Sequence, residues 1–200
     1  MSEVAVAFIT GVLGPVILIL VKYLVGRLSK KKDMVTDACE VSSSVVSKLD
    51  EIKEEHGADR VWIAQFHNGG HFYPTGKSIA KFSVFYETVG AGTSSIQANL
   101  QSIPVNLFSK SINCLLKDEA ICIPDFKEET VATHGLKYFA EENGTKSQYL
   151  FAIKSIDGKF IGFISLDYTK KKTKILESDI VDLEISAGTL GGVLMNHLTR

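Results

Sequence analysis

Residues 148–169 read QYLFAIKSIDGKFIGFISLDYT, and this stretch decides what kind of sheet the chain can build. Two runs rich in aromatic and β-branched residues, Gln148–Ser155 and Phe160–Thr169, flank Asp157-Gly158. Asp-Gly suits a tight turn with positive φ, so the runs read as antiparallel strands joined in a hairpin.

Upstream, Arg60–His67 has strand character and Asn68-Gly69-Gly70 is expected to stop it. A loop to Gly76 follows, then a strand over Ala80–Val89 and the small-residue break GAGTSS. Ala120–Pro124 reads as a short strand. Helical spacing appears elsewhere. Met34–His56 lacks Gly and Pro and repeats Val35, Ala38, Val41, Val45, Leu49 and Ile52 at threes and fours, with Gly57 as its stop. Ile103–Leu116 repeats Val105, Phe108, Ile112 and Leu115 behind Pro104, and Val131–Glu142 suits a shorter helix. Glu177–His197 carries Ile180, Leu183, Ala187, Leu190 and Leu194 on one stripe. Paired strands among segregated helices predict an α+β domain around an antiparallel sheet.

The N-terminus is of another kind. Residues 4–26 read VAVAFITGVLGPVILILVKYLVG, with Lys22 the only charge, and RLSKKK follows. About 20 such residues cross a bilayer core, and positive charge after the span holds that side in the cytoplasm. The expectation is a single-pass transmembrane anchor over 1–26 with its N-terminus outside. A basic juxtamembrane linker over 27–33 and a cytoplasmic domain over 34–200 follow it. A helix buried in an assembly such as a viral particle is the alternative.

Composition excludes several classes. Across 200 residues the net charge is -1, which gives nucleic acid no electrostatic footing. Cys39, Cys114 and Cys122 form no CxxC pair, as suits a reduced compartment. No Gly-x-Ser-x-Gly or phosphate-binding loop is present, so no catalytic residue is assigned. Lys170–Lys172 and Lys174 read as a solvated turn.

FIGFISLDY at 160–168, with Gly162, and ILESDIVDLEISAGTLGGVLMNHL at 175–198 resemble the penultimate strand and closing helix of a GAF domain. The resemblance spans Met34–Arg200. It implies terminal helices packed on one face of the sheet, and loops and short helices roofing a pocket on the other. It also implies a homodimer through helices 34–56 and 177–197, and a ligand-binding or interaction role. The chain lacks the cyclic-nucleotide signature of that family (Asn-Lys…Phe…Asp-Glu) and its bilin-attaching Cys-His pair, so no cofactor is expected. The apolar N-terminus combined with QFHNGG at 65–70 is similar to uncharacterised proteins of tailed bacteriophages.

His67 and His71 are four apart, but Asn68-Gly69-Gly70 prevents the helix that would make them chelate, so no metal is expected. Strand alternation puts Val61, Ile63, Gln65 and His67 on one face of the first strand. It likewise puts Ile161, Phe163, Ser165 and Asp167 on one face of the last. Both faces turn polar toward the C-terminal end. As neighbours on one side they would gather Gln65, His67, Ser165 and Asp167 at a pocket mouth, with Asp125 approaching after Pro124. The plainer reading is a strand-to-loop corner in which His67 holds a loop. Cys114 and Cys122 flank the turn Lys117-Asp118-Glu119, and some GAF-fold enzymes reduce free methionine sulfoxide with loop cysteines. The adjacent acids disfavour a thiolate.

The function expected is a membrane-tethered, non-enzymatic GAF-like module that dimerises and binds a protein partner or small ligand at the cytoplasmic face. The alternatives are a structural subunit of a phage particle or membrane assembly, and a thiol-based reductase. A sensor predicts an open pocket; a structural subunit predicts a filled one.

Overall fold

The computed structural model describes residues 14–28, 33–72, 74–127 and 135–198. The chain divides into two compact units, residues 1–37 and 38–200. In the first, α1 (Gly14–Leu28) exposes an unbroken apolar run from Val16 to Val21. Residues 4–13 of the expected span lie outside the described residues, and no described helix is long and apolar enough to cross a membrane.

The second unit takes most of α2 (Met34–Glu55), then β1 (Arg60–His71), β2 (Ser78–Val89), β3 (Ile103–Pro104), α3 (Ser109–Leu116) and β4 (Ile121–Ile123). It closes with α4 (Leu136–Glu142), β5 (Ser147–Lys154), β6 (Phe160–Tyr168) and α5 (Glu177–Leu198). The six strands form one antiparallel sheet in the order β3-β2-β1-β6-β5-β4. The expected hairpin is β5–β6, in register from Ser147↔Tyr168 to Lys154↔Phe160. Its turn is held by the Gly158 N–H on the Ser155 carbonyl at 2.8 Å. Hydrogen bonds from Lys159 and Ser155 push the Asp157 carboxyl down to about 2.

Each face of the sheet buries its own layer. On one, Val45, Leu49 and Ile52 of α2 and Leu183, Ala187, Leu190 and Leu194 of α5 pack against Val61, Ile63, Phe151 and Ile164. On the other, Ile112, Leu115, Phe126, Leu136 and Phe139 roof Trp62, Ala64, Phe82, Val84 and Phe163. The apolar stripes read from the sequence are buried from Val41 onward in α2 and along α5, because neither long helix can hide its stripe alone, whereas Val35 and Ala38 at the start of α2 are exposed.

Three element boundaries differ from expectation. Asn68-Gly69-Gly70 does not stop β1, since an irregularity between Asn68 and His71 absorbs the break and pairing resumes at His71↔Ser78. Gly70 takes φ +82, and a Cβ on Gly69 would come within 2.4 Å of the Lys81 side chain, which crosses there. The helix expected within Ile103–Leu116 is α3, but it opens at Ser109 and not behind Pro104, because β3 and a 3-10 turn over Val105–Phe108 come first. The short helix begins only at Leu136, and residues 131–134 lie outside the described residues. Gly162 has a packing reason, since a Cβ there would lie 2.1 Å from the Ala64 carbonyl oxygen of β1.

Candidate functional site

The two strands supposed to be neighbours are neighbours, antiparallel as expected of the sheet. Their faces do not coincide: Val61 and Ile63 pack in the helix layer and Phe163 in the roof layer. Arg60 pairs with Asp167, Trp62 with Ser165 and Gln65 with Gly162. The C-terminal end of β1 therefore lies beside the N-terminal end of β6. Gln65 and His67 stand at one end of the sheet, Ser165 and Asp167 at the other, and the expected gathering does not occur.

The Asp167 end is a closed polar cluster. Oδ2 of Asp167 accepts from Arg60 Nε at 2.9 Å and Nη2 at 2.7 Å, and from Trp62 Nε1 at 3.0 Å. Oδ1 accepts from Gln148 Nε2 at 3.0 Å and the Ser165 hydroxyl at 2.9 Å. Arg60 also donates to the Ser94 carbonyl at 3.0 Å and the Thr145 hydroxyl at 2.9 Å, so the cluster ties two loops to the sheet. Arg60 and Asp167 both have side chains at 0% exposure. Such a pair is sustained by its several hydrogen bonds, although the Gln148 Oε1 beside it has no partner among the described residues, and its burial leaves no opening to a ligand. Arg60, Trp62, Thr145 and Gln148 were not singled out from the sequence. The available signal was a charge at the outer end of each of two apolar strands, Arg60 opening one and Asp167 near the close of the other.

Asp125 lies just past β4, whose last residue Ile123 pairs with Gln148. It acts as a turn residue, accepting the Lys127 N–H at 2.9 Å and pairing with Lys172. The Lys172 ammonium holds its carboxyl below the usual carboxylate range.

The space where the fold would keep a pocket, between the sheet and α3 and α4, is packed. Trp62 meets Phe139 at 6.2 Å and Phe163 at 5.7 Å between ring centroids, edge to face, and Phe82 meets Phe163 at 5.4 Å. What remains is a cavity of about 10 Å³, room for roughly one water. The Ser111 hydroxyl lines it and is buried without a hydrogen-bond partner among the described residues.

At the other end, His67 Nε2 lies 2.8 Å from the Ser83 hydroxyl and Nδ1 lies 3.2 Å from the Asn68 carbonyl. With Nδ1 carrying the proton, Nε2 accepts from Ser83, whose oxygen in turn accepts the Ser102 N–H at 2.8 Å. His67 thus anchors a loop, in line with the plainer reading. An open hollow lies beside it, lined by Phe66, Asn68, Ala80, Val105 and Phe160. Among the described residues, no group of three or more His, Cys, Asp or Glu is placed to hold a metal.

Cys114 packs in the roof layer and Cys122 in the helix layer, on opposite faces of the sheet. Burial, with Glu184 second, pushes the Cys122 thiol up, away from the thiolate that redox chemistry needs.

No family model matches the chain, and no curated protein matches it in sequence. Solved structures do. A GAF domain from Synechocystis in its photoproduct state aligns at TM-score 0.62 and 12% identity, over 80% of this chain and 96% of that one. The blue-light absorbing form of the Thermosynechococcus elongatus PixJ GAF domain aligns at 0.62 and 13%, over 82% and 88%. A far-red cyanobacteriochrome photoreceptor aligns at 0.63 and 14%, over 92% and 99%. The fold is therefore GAF-like. The residues present do not fit a bilin: the attaching Cys-His pair is missing, and a cavity of about 10 Å³ admits no tetrapyrrole.

Proposed function

We propose that the chain is a membrane-tethered, non-enzymatic GAF-like module that dimerises and binds a protein partner at the cytoplasmic face, with no small ligand in its inner chamber. The carrying observation is the packed chamber: aromatic side chains fill it to about 10 Å³, where a ligand site needs several hundred. Tethering is supported by residues 4–26 with RLSKKK behind them, and by the exposed apolar run Val16–Val21. Water alone is a poor environment for that run. Dimerisation is supported by Val181 and Ile185 of α5, 53% and 64% exposed and one helical turn apart.

Two measurements on the full chain in detergent micelles test this. Light scattering should give a dimer that the pair Val181→Asp and Ile185→Asp converts to monomer. Thermal unfolding should not shift with nucleotides, divalent metals or methionine sulfoxide. A midpoint that climbs with ligand concentration would sink the closed-chamber reading. A structural subunit shares the packed chamber, and assemblies larger than a dimer would favour it. Turnover of methionine sulfoxide, lost on alkylating the cysteines, would return the reductase.

A further inference from the structure

The two edges of the sheet are treated differently. Beyond the two-residue β3, the outer edge of β2 is capped by loop groups. Val84 N–H bonds the Leu100 carbonyl at 2.9 Å, Gln101 Nε2 bonds the Val84 carbonyl at 2.8 Å, and Gln97 Nε2 bonds the Phe85 carbonyl at 2.7 Å. The β5 edge is covered past β4 only at its very end, where the Lys154 carbonyl lies so close to Gly191 of α5 that a Cβ there would come within 2.0 Å of it. β4 pairs with β5 only from Ile123↔Gln148 to Ile121↔Leu150.

The reason is local. The chain before β4 is engaged in closing α3: Lys117 and Glu119 bond the Cys114 carbonyl, Asp118 bonds that of Leu115, and Asp118 takes φ +61. Phe151–Lys154 therefore face no strand on that side among the described residues. Backbone groups alternate direction along a strand, so alternate residues of this segment turn theirs outward. The space they face is an open hollow of about 280 Å³, lined by Asp118, Glu119, Ala120, Ala152, Lys154 and Glu184. Lys154 pairs with Asp118 at 2.5 Å, and the exposed Glu119 and Glu184 have no ion-pair partner among the described residues.

We propose that this edge docks an extended basic peptide segment of a partner protein. The segment adds as a strand along Phe151–Ile153 and lays a lysine or arginine against Glu119 and Glu184. Main-chain hydrogen bonds supply affinity, and the two carboxylates select the sign of the guest. The proposal rests on the partner-binding reading above and gives it an address.

The test uses the full chain in micelles and a labelled ten-residue peptide of alternating lysine and valine, with a glutamate–valine peptide as counterpart. Saturation with the basic peptide should slow hydrogen exchange at 151–153, and it should bind roughly tenfold or more tighter than the acidic one. Glu119→Lys with Glu184→Lys should weaken it by about as much, whereas Asp182→Lys with Glu141→Lys, the same charge change elsewhere, should not. Methylating alternate peptide nitrogens should abolish binding. Unchanged exchange at 151–153, equal binding of both peptides, or equal loss in both double variants would each overturn the site. Those failures alongside an intact dimer and a ligand-insensitive midpoint would remove this edge alone. A ligand-driven shift would remove the reading beneath it.

Discussion

At its start β1 carries Arg60 and Trp62, and at its end Gln65 and His67, and the surroundings make these polar groups do different work. Arg60 is sealed against Asp167 beneath the loop bearing Ser94 and the turn bearing Thr145. His67 is half-buried, holds one serine, and borders an open hollow. β6 pairs with β1 only as far as Gln65↔Gly162, so the last residues of β1 run on as one arm of a hairpin with β2. A polar residue on a strand is available to a ligand only where its neighbours leave its face uncovered. Elsewhere it fastens the fold.

The largest test of that contrast is Asp167→Ala. It leaves Arg60 charged, buried and without its main partner, a loss of about 3–5 kcal/mol in unfolding free energy. Trp62 is the only tryptophan and donates to the same carboxylate, so its emission should shift in the folded variant while urea titration records the lost stability. A cost near that of an ordinary surface change would mean the cluster is wet, and the contrast would fail.

A second test acts between the two ends. Gly162→Ala would place a Cβ 2.1 Å from the Ala64 carbonyl oxygen and push β6 from β1. The expected cost is roughly 1–3 kcal/mol. Hydrogen exchange should rise more toward Gln65 and His67 than at Arg60, because only the Arg60 end is pinned by side chains. Equal loosening at both ends would say that the cluster contributes no local rigidity.

Much of the fold was legible in the sequence because it rests on period. The stripe Val45, Leu49, Ile52, the stripe Leu183, Ala187, Leu190, Leu194, and the Asp157-Gly158 hairpin all lie where spacing put them. The arrangement of Gln65, His67, Ser165 and Asp167 was not legible. Alternation groups residues within one strand, but which strand lies beside it, and which of the two faces each group takes, are set by packing: Val61 and Ile63 turn to the long helices, Phe163 to the roof. Gathering two polar C-terminal ends needs a parallel pair, and β1 and β6 are antiparallel. The packed chamber was hidden for a related reason. Trp62, Phe82, Phe139 and Phe163 come from four separate elements, and whether their rings fill a space depends on distances that no single segment encodes.

His67→Ala is the smallest test and the most discriminating. The hydrogen bond it removes is a single contact at a half-buried site, and the Ser83 oxygen still receives the Ser102 N–H. No buried group loses its last partner, so the expected loss is about 1 kcal/mol. Trp62 emission should not move, since that ring contacts Asp167, Phe139 and Phe163 at the other end of the sheet. A loss as large as that of Asp167→Ala would show that the loop held through Ser83 and Ser102 is a second structural pin. The contrast between the ends would then collapse. A loss within the expected size, with faster exchange confined to residues 67–68, 83 and 102, would mark the His67 end as the part of this sheet where chemistry can change without endangering the fold.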